Sequence, residues 1–349
     1  MNNKYRSIIP LLLRPFEILT VDDIERIKVV YKEIGRSDFE SCLKKEKQNR
    51  AFASLVLSKI DCDSAYWTKV HDDYVQRNTE ILHLVKEVMN EFSRLGGRTL
   101  CVYENFGAVL SSGISIGCFA SGDVDFTMDK SELSIAEEAL KKAGFVHSLR
   151  DGRPTDLEHI RYTYFNKNAL NGNGYWLNIM WKPISRRYLL VQNKYAKRLA
   201  FCRKNSVQYD GSNVRLLEPT AMVYYNSLHF ACEHHYSASP GMALCCDIDR
   251  VVRAHTVDWN KIIEWAKKDN AGLRIHLALD VCNYFLKTPV PLDLFGAKSK
   301  NYMKLRNRII DSDNNYLISQ DGKLNRLYAE FASDDMPLIL SLISRIWRK

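Results

Sequence analysis

No uninterrupted apolar run in this 349-residue chain approaches the ~18–20 residues that a bilayer-spanning helix requires. The apolar stretch Ile8–Leu13 is short, contains Pro10 and has no small-residue cleavage site after it. Proline (9) and glycine (16) are sparse, and 46% of residues are hydrophobic, which excludes a low-complexity or disordered chain. Internal repeats are absent. No two cysteines stand in CxxC spacing, so neither a thioredoxin-type redox pair nor a zinc-ribbon spacing is present. The nine cysteines, among them Cys42, Cys62, Cys101, Cys118 and Cys282, are scattered through apolar segments, and Cys245-Cys246 is an adjacent pair. This pattern predicts reduced, buried thiols and a cytoplasmic protein without a membrane partner.

Charge is in excess of one sign. The net charge is +9, with basic clusters at Lys44–Arg50, Arg186–Arg203 and Lys298–Arg308. Each cluster reads as a solvated helix face, as a nucleic-acid surface or as the positive surround of a bound triphosphate. None contains a motif that reads DNA or RNA, so nucleic acid is a partner the charge admits and no motif supports.

Periodicity divides the chain into three regions. Residues 1–95 are helical in pattern, with amphipathic segments at Asp22–Ile34, Arg50–Ile60 and Ala65–Phe92, the last stopped by Gly96-Gly97. Residues 96–215 alternate strand and helix. Strands are expected at Thr99–Tyr103, at Asp123–Phe126 and at Phe145–Leu149, His159–Phe165 and Tyr175–Trp181. One helix is expected near Gly107, and another from an N-capping Ser131 through Ala143 with Gly144 behind it. Residues 216–349 return to helices: Thr220–His235 opened by Pro219, Met242–His255 after a break at Pro240-Gly241, Asp258–Lys268, Gly272–Lys287, and two or three more in the tail. The expected fold class is α+β, a small mixed sheet of about five strands flanked by N-terminal and C-terminal helical regions. Trp67, Trp176, Trp181, Trp259 and Trp265 lie in amphipathic segments and are expected at or near the core.

Ser121-Gly122-Asp123-Val124-Asp125-Phe126 carries the chemistry. Side chains alternate along a strand, so Asp123 and Asp125 point to one face, roughly 7 Å apart. Two carboxylates on one face repel unless a cation lies between them, and hard oxygen ligands of this kind suit Mg²⁺. Gly122 leaves room for a phosphate at the backbone. The plain alternative is a surface strand end with two solvated aspartates. A nucleotidyl transfer site places a glycine segment first, then Asp-x-Asp, then a third carboxylate on a neighbouring strand, around two metal ions. Gly107 fits the first element, at the head of a helix whose backbone N–H groups would meet phosphate. The third is expected within Tyr175–Trp181.

Asn105-Phe106-Gly107-Ala108, the SGDVDF segment and the helix closing on Ala143-Gly144-Phe145 together resemble the uncharacterised nucleotidyltransferase family of the DNA polymerase β-like superfamily. Leu228-His229-Phe230, Glu233-His234-His235, Cys246-Asp247-Ile248, Asp258-Trp259 and Thr288-Pro289-Val290-Pro291 follow in that family's order, and the resemblance spans roughly Trp67 to Pro291. It implies a nucleotidyltransferase core that moves a nucleoside monophosphate from an NTP to a small-molecule, peptide or protein acceptor. Asp123 and Asp125 would bind metal, as two Mg²⁺ ions with the NTP, and Gly107, Ser121, Gly122 and Asp123 would bind the nucleotide. Three positions depart from the family. Phe106 stands where a Lys precedes the glycine, and in Leu177-Asn178-Ile179-Met180-Trp181 Asn178 replaces the acidic residue and Met180 the His. An Asn carbonyl can coordinate Mg²⁺ but adds no charge and takes no proton. Glu158 and His159 are candidate substitutes for the base. The alternative function is a catalytically weakened nucleotide-binding protein with a regulatory or scaffolding role.

A second cluster comprises His229, Glu233, His234, His235, Asp247 and Asp249. His229 and Glu233 share a helix face, and Asp247 comes from the following helix. The cluster reads either as a zinc site or as a His–Asp pair clamping two helices, with the remaining His residues solvated.

Overall fold

The computed structural model describes residues 3–45, 47–148, 161–170, 172–183, 189–236, 238–296, 300–311 and 316–317. Five helices come first: α1 (Asn3–Leu13), α2 (Val21–Ile34), α3 (Arg36–Lys45), α4 (Lys47–Leu57) and α5 (Ser64–Arg94). Thr20 opens α2 with a capping box, its hydroxyl accepting from Asp23 N–H while the Asp23 carboxylate accepts from Thr20 N–H. Pro10 lies inside α1 and does not break it. The long α5 buries Trp67, Val70, Ile81, Val85, Val88 and Phe92 along one stripe, at the spacing that brings residues three and four apart onto one face. Trp67 is fully buried at the centre of an aromatic cluster with Tyr31, Phe39 and Tyr66. Burying side chains of this size contributes about 1.5–3 kcal/mol each.

The middle of the chain forms a seven-stranded mixed sheet of order β3-β4-β5-β2-β1-β7-β6. Its strands are β1 (Cys101–Tyr103), β2 (Asp123–Thr127), β3 (Val146–His147), β4 (Arg161–Asn166), β5 (Tyr175–Met180), β6 (Val207–Gln208) and β7 (Arg215–Leu216). Interleaved are α6 (Glu104–Ser112), α7 (Leu133–Lys142) and α8 (Leu189–Lys204). The α+β class is as the sequence implies. The sheet exceeds the five expected strands because β6 and β7 are two residues each, too short to carry an alternating pattern. β2 lies centrally, parallel to β5 and antiparallel to β1. Four of its five residues are buried.

Ser131 is not the cap of α7. Asp129 caps a 3₁₀ turn, Lys130–Glu132, that leads into α7, and both the N–H and the hydroxyl of Ser131 donate to Asp129 Oδ1. A carboxylate accepts two bonds at once, so the serine serves as donor.

Behind the sheet come α9 (Pro219–Cys232), α10 (Ala238–Ala254), α11 (Trp259–Lys268), α12 (Gly272–Leu286) and α13 (Lys300–Ile309). α9 ends three residues earlier than expected because His235 and Tyr236 take left-handed backbone angles (φ 50° and 57°). Pro240-Gly241 does not break a helix either. It falls in the first turn of α10, where a missing N–H leaves no bond unmade. Asp258 caps α11, its carboxylate accepting from Lys261 N–H. A separate ribbon pairs β8 (Ile310–Asp311) with β9 (Tyr316–Leu317). Of the two or three helices expected in the tail, α13 is one, and residues 318–349 lie outside the described residues.

The first helix interlocks with the helices that follow the sheet. α1 packs on α10 and α12 as well as on α2 and α4. Arg14 Nε donates to the carbonyl of Phe285 at 3.0 Å, and Arg250 Nη2 donates to the carbonyl of Leu13 at 3.0 Å. All nine cysteines are free, and all but Cys42 are buried.

Candidate active site

The pairing register assembles the site. Asp125 stands opposite Asn178 across the parallel β2–β5 pair and opposite Tyr103 across the antiparallel β1–β2 pair. Residues opposite one another share a face, so Asp123, Asp125 and Asn178 all project from the same side of the sheet. Asn178 Nδ2 donates to Asp123 Oδ2 at 2.8 Å and to Asp125 Oδ1 at 2.9 Å. Thr163, its neighbour across β4–β5, donates its hydroxyl to Asn178 Oδ1 at 2.9 Å. Ser121 donates to Asp123 Oδ1 at 2.8 Å. Asp125 and Asn178 are buried, whereas Asp123 is half-buried and Gly122 exposed at the rim.

This geometry tests the fit for a cation. One atom, Asn178 Nδ2, lies within hydrogen-bonding distance of both carboxylates. The two acids thus converge on a single point, and their oxygens are of the hard type that Mg²⁺ takes.

The loop ahead of Asp123 is strapped to α5. Asn78 Nδ2 donates to the carbonyls of Ile116 and Phe119, both at 2.7 Å, and Arg77 Nη2 donates to the carbonyl of Ser121 at 2.7 Å. His71 Nε2 pairs with Ser115 Oγ at 2.7 Å. The Arg77 guanidinium also lies 5.7 Å from the centre of the Tyr175 ring, which brings a cation to the site's flank. Arg77 and Asn78 were invisible as site residues in the sequence, since they sit within an ordinary amphipathic pattern.

Gly107 is not at the head of its helix. α6 opens at Glu104, and Gly107 is its fourth residue. A Cβ at Gly107 would lie 3.2 Å from the carbonyl oxygen of Val102, so here the glycine lets α6 pack closely on β1.

Glu104 is the acidic residue that sequence reasoning missed. It has φ +56°, is buried, and begins α6 directly after the Tyr103 that pairs with Asp125. Its carboxylate lies 3.0 Å from His229 Nδ1, and His229 Nε2 lies 2.9 Å from His234 Nε2. Burial works to lower the His229 pKa, but Glu104, with Glu233 and Asp125, overcomes this and raises it to about 9. His234 is pushed down to about 3 by burial and by the neighbouring His229 and His235. A protonated His229 therefore donates to a neutral His234. Burial raises the carboxyl of Asp247 well above its ordinary range.

The expected His–Asp clamp is thus a His–Glu clamp between α9 and α6, because His229 turns its Nδ1 to the start of α6. The other histidines are not solvated: His235 is buried and His234 half-buried. Asp249 belongs to a different network, accepting from Arg250, Arg253 and Thr288. Among the described residues no group of three or more His, Cys, Asp or Glu side chains is arranged to hold a metal ion, which leaves the zinc reading without a ligand set there. Glu158 and His159 lie outside the described residues.

A mixed sheet presenting two convergent aspartates at the head of a central strand is the setting in which nucleotidyl transfer chemistry is found. The chain belongs to the uncharacterised nucleotidyltransferase family, whose model matches residues 63–287. Comparison with curated proteins and with solved structures finds no match. Among the described residues no helix is long and apolar enough to cross a membrane.

Proposed function

We propose that this protein is a Mg²⁺-dependent nucleotidyltransferase that moves a nucleoside monophosphate from an NTP, ATP among them, to an acceptor hydroxyl on a small molecule, peptide or protein. The observation that carries the reading is the convergence of Asp123 and Asp125 on one point, 2.8 and 2.9 Å from their oxygens. Mg²⁺, two ions with the bound NTP, would be held by Asp123 and Asp125 and would supply neutralising charge for the triphosphate and the departing pyrophosphate. The protein's own groups do the rest by position. Ser121 holds the Asp123 carboxylate in its orientation, and Arg77 fixes the Ser121 carbonyl from α5. Gly122, exposed at the rim of the site, leaves its backbone open to a phosphate oxygen. In the transfer, the acceptor oxygen bonds to the α-phosphorus, the bond to the β-phosphate oxygen breaks, and the acceptor's proton passes to a base or to water.

Asn178 favours a second reading, a nucleotide-binding regulatory or scaffolding protein with weakened transfer. Its amide adds no charge and holds both carboxylates by hydrogen bonds. Incubation with α-labelled NTPs, Mg²⁺ and a cell extract separates the two. The enzyme reading expects label on an acceptor with wild type and none with Asp123→Ala. Label that never leaves the NTP, or equal labelling by the variant, sinks it.

A further inference from the structure

At the opposite end of the sheet from Asp123, a cavity of about 570 Å³ is lined by Arg98, Arg203, Lys204 and Arg215, with Glu132 as its one acidic lining residue. Arg203 joins it to β2: its Nη1 donates to Thr127 Oγ1 at 3.0 Å. Thr127 lies four residues beyond Asp123, roughly 13 Å along the strand. The cavity is therefore separate from the candidate active site.

Among the described residues no ion pair closes on the cations of this cavity, and Asp129 acts on Arg203 and Lys204 only from a distance. Arg203 is only 4% exposed, and among the described residues it makes no ion pair and its buried Nε has no hydrogen-bond partner. Arg215 is held by neutral acceptors, the hydroxyl and the carbonyl of Ser206, at 2.7 and 3.0 Å. Arg98 and Lys204 are exposed and enter no ion pair among the described residues. The nearby acids are already engaged by neutral donors. Glu132 accepts from the N–H groups of Arg98 and Thr99 and from the Thr99 hydroxyl, and Asp129 accepts from the N–H and hydroxyl of Ser131. Arg203 and Arg215 both line the cavity.

A buried guanidinium without a counter-ion is costly unless an anion completes it. The planar fork of arginine matches the oxygens of a phosphate group, and three arginines with a lysine around one cavity supply such forks. We propose that this cavity is a second ligand site that binds the phosphate groups of a small molecule, distinct from the transfer site and independent of its metal. The volume suits a pyrophosphate or a nucleoside phosphate.

The test is calorimetric titration of the full chain, in EDTA so that no divalent ion serves Asp123 and Asp125, with inorganic pyrophosphate and with ADP. Saturable binding is expected, unchanged in Asp123→Ala and weakened at least tenfold in Arg203→Met. Because Arg203 is buried and its loss can disturb folding, the exposed pair Arg98→Ser/Lys204→Ser is the second variant, with its unliganded melting curve as the control for folding. Binding weakened in that double variant at an unchanged melting temperature supports the site. ADP binding tighter than pyrophosphate assigns it to a nucleotide, and equal or weaker ADP binding assigns it to phosphate alone. Unsaturable binding, equal affinity in wild type and the double variant, or loss of binding in Asp123→Ala overturns it.

Discussion

Asn178 Nδ2 lies 2.9 Å from Asp125 Oδ1, two side chains set abreast by the parallel pairing of β2 with β5. The amide offers positive hydrogens to both aspartates and relieves their repulsion.

Asn178→Asp should therefore reverse the sign of this contact. In EDTA the variant is expected to lose about 1–3 kcal/mol, because three carboxylates then crowd one point and two charge-assisted hydrogen bonds disappear. Mg²⁺ is expected to raise its melting temperature more than it raises that of wild type. A variant as stable as wild type in EDTA, with no larger response to Mg²⁺, would show that Asn178 is not bridging the two acids.

His229 makes stability depend on pH with a definite sign. Its folded pKa of about 9 lies above the ordinary 6.5, so its contribution is complete below pH 6.5 and is lost as pH rises to 9. The contribution is on the order of 1–3 kcal/mol. His234, lowered to about 3, acts oppositely, and its contribution is lost as pH falls below 6.5. Denaturant unfolding of wild type and His229→Gln at pH 6.5 and pH 9 should show a steeper alkaline loss for wild type. Parallel curves would refute the Glu104–His229 pair.

Gly107→Ala places a methyl group 3.2 Å from the Val102 carbonyl oxygen, with Met222 Cε at 3.5 Å. The backbone of β1 has little room to yield, so overpacking should destabilise by about 1–3 kcal/mol. The urea midpoint measures it, and a midpoint equal to wild type would mean that α6 can move off β1.

Asn78→Ala removes the donor to two loop carbonyls, Ile116 and Phe119. A loss of about 1–3 kcal/mol is expected, together with faster proteolysis between residues 113 and 122. Unchanged proteolysis would show that the remaining straps from His71 and Arg77 suffice.

The legible parts of this protein were those written in one stretch of chain. Asp123 and Asp125 announce their shared face by a period of two, and α5 announces its buried stripe from Trp67 to Phe92. The strand Tyr175–Met180 was readable because it is long enough to show apolar bias. What stayed hidden was pairwise and remote. Glu104 meets His229 only because α6 and α9 pack together, and nothing near Glu104 in sequence hints at a histidine 125 positions on. The left-handed turn that aims Glu104 is taken by a residue type that seldom adopts it, so propensity points the other way. Arg77 and Asn78 reach the site across the packing of α5 on the loop at Ile116–Cys118, which helical periodicity does not encode.

Residues 63–287 are what this chain has in common with its family, yet α1 lies outside that span while clasping α10 and α12 within it. The shared segment is consequently not a portable unit in this protein. A chain begun at residue 63 would leave the fully buried Cys246 and the guanidinium of Arg250 without the cover and carbonyl partner that Leu13 provides. The N-terminal helices and the helices that follow the sheet thus share one packed interface, and removing either would uncover buried groups of the other.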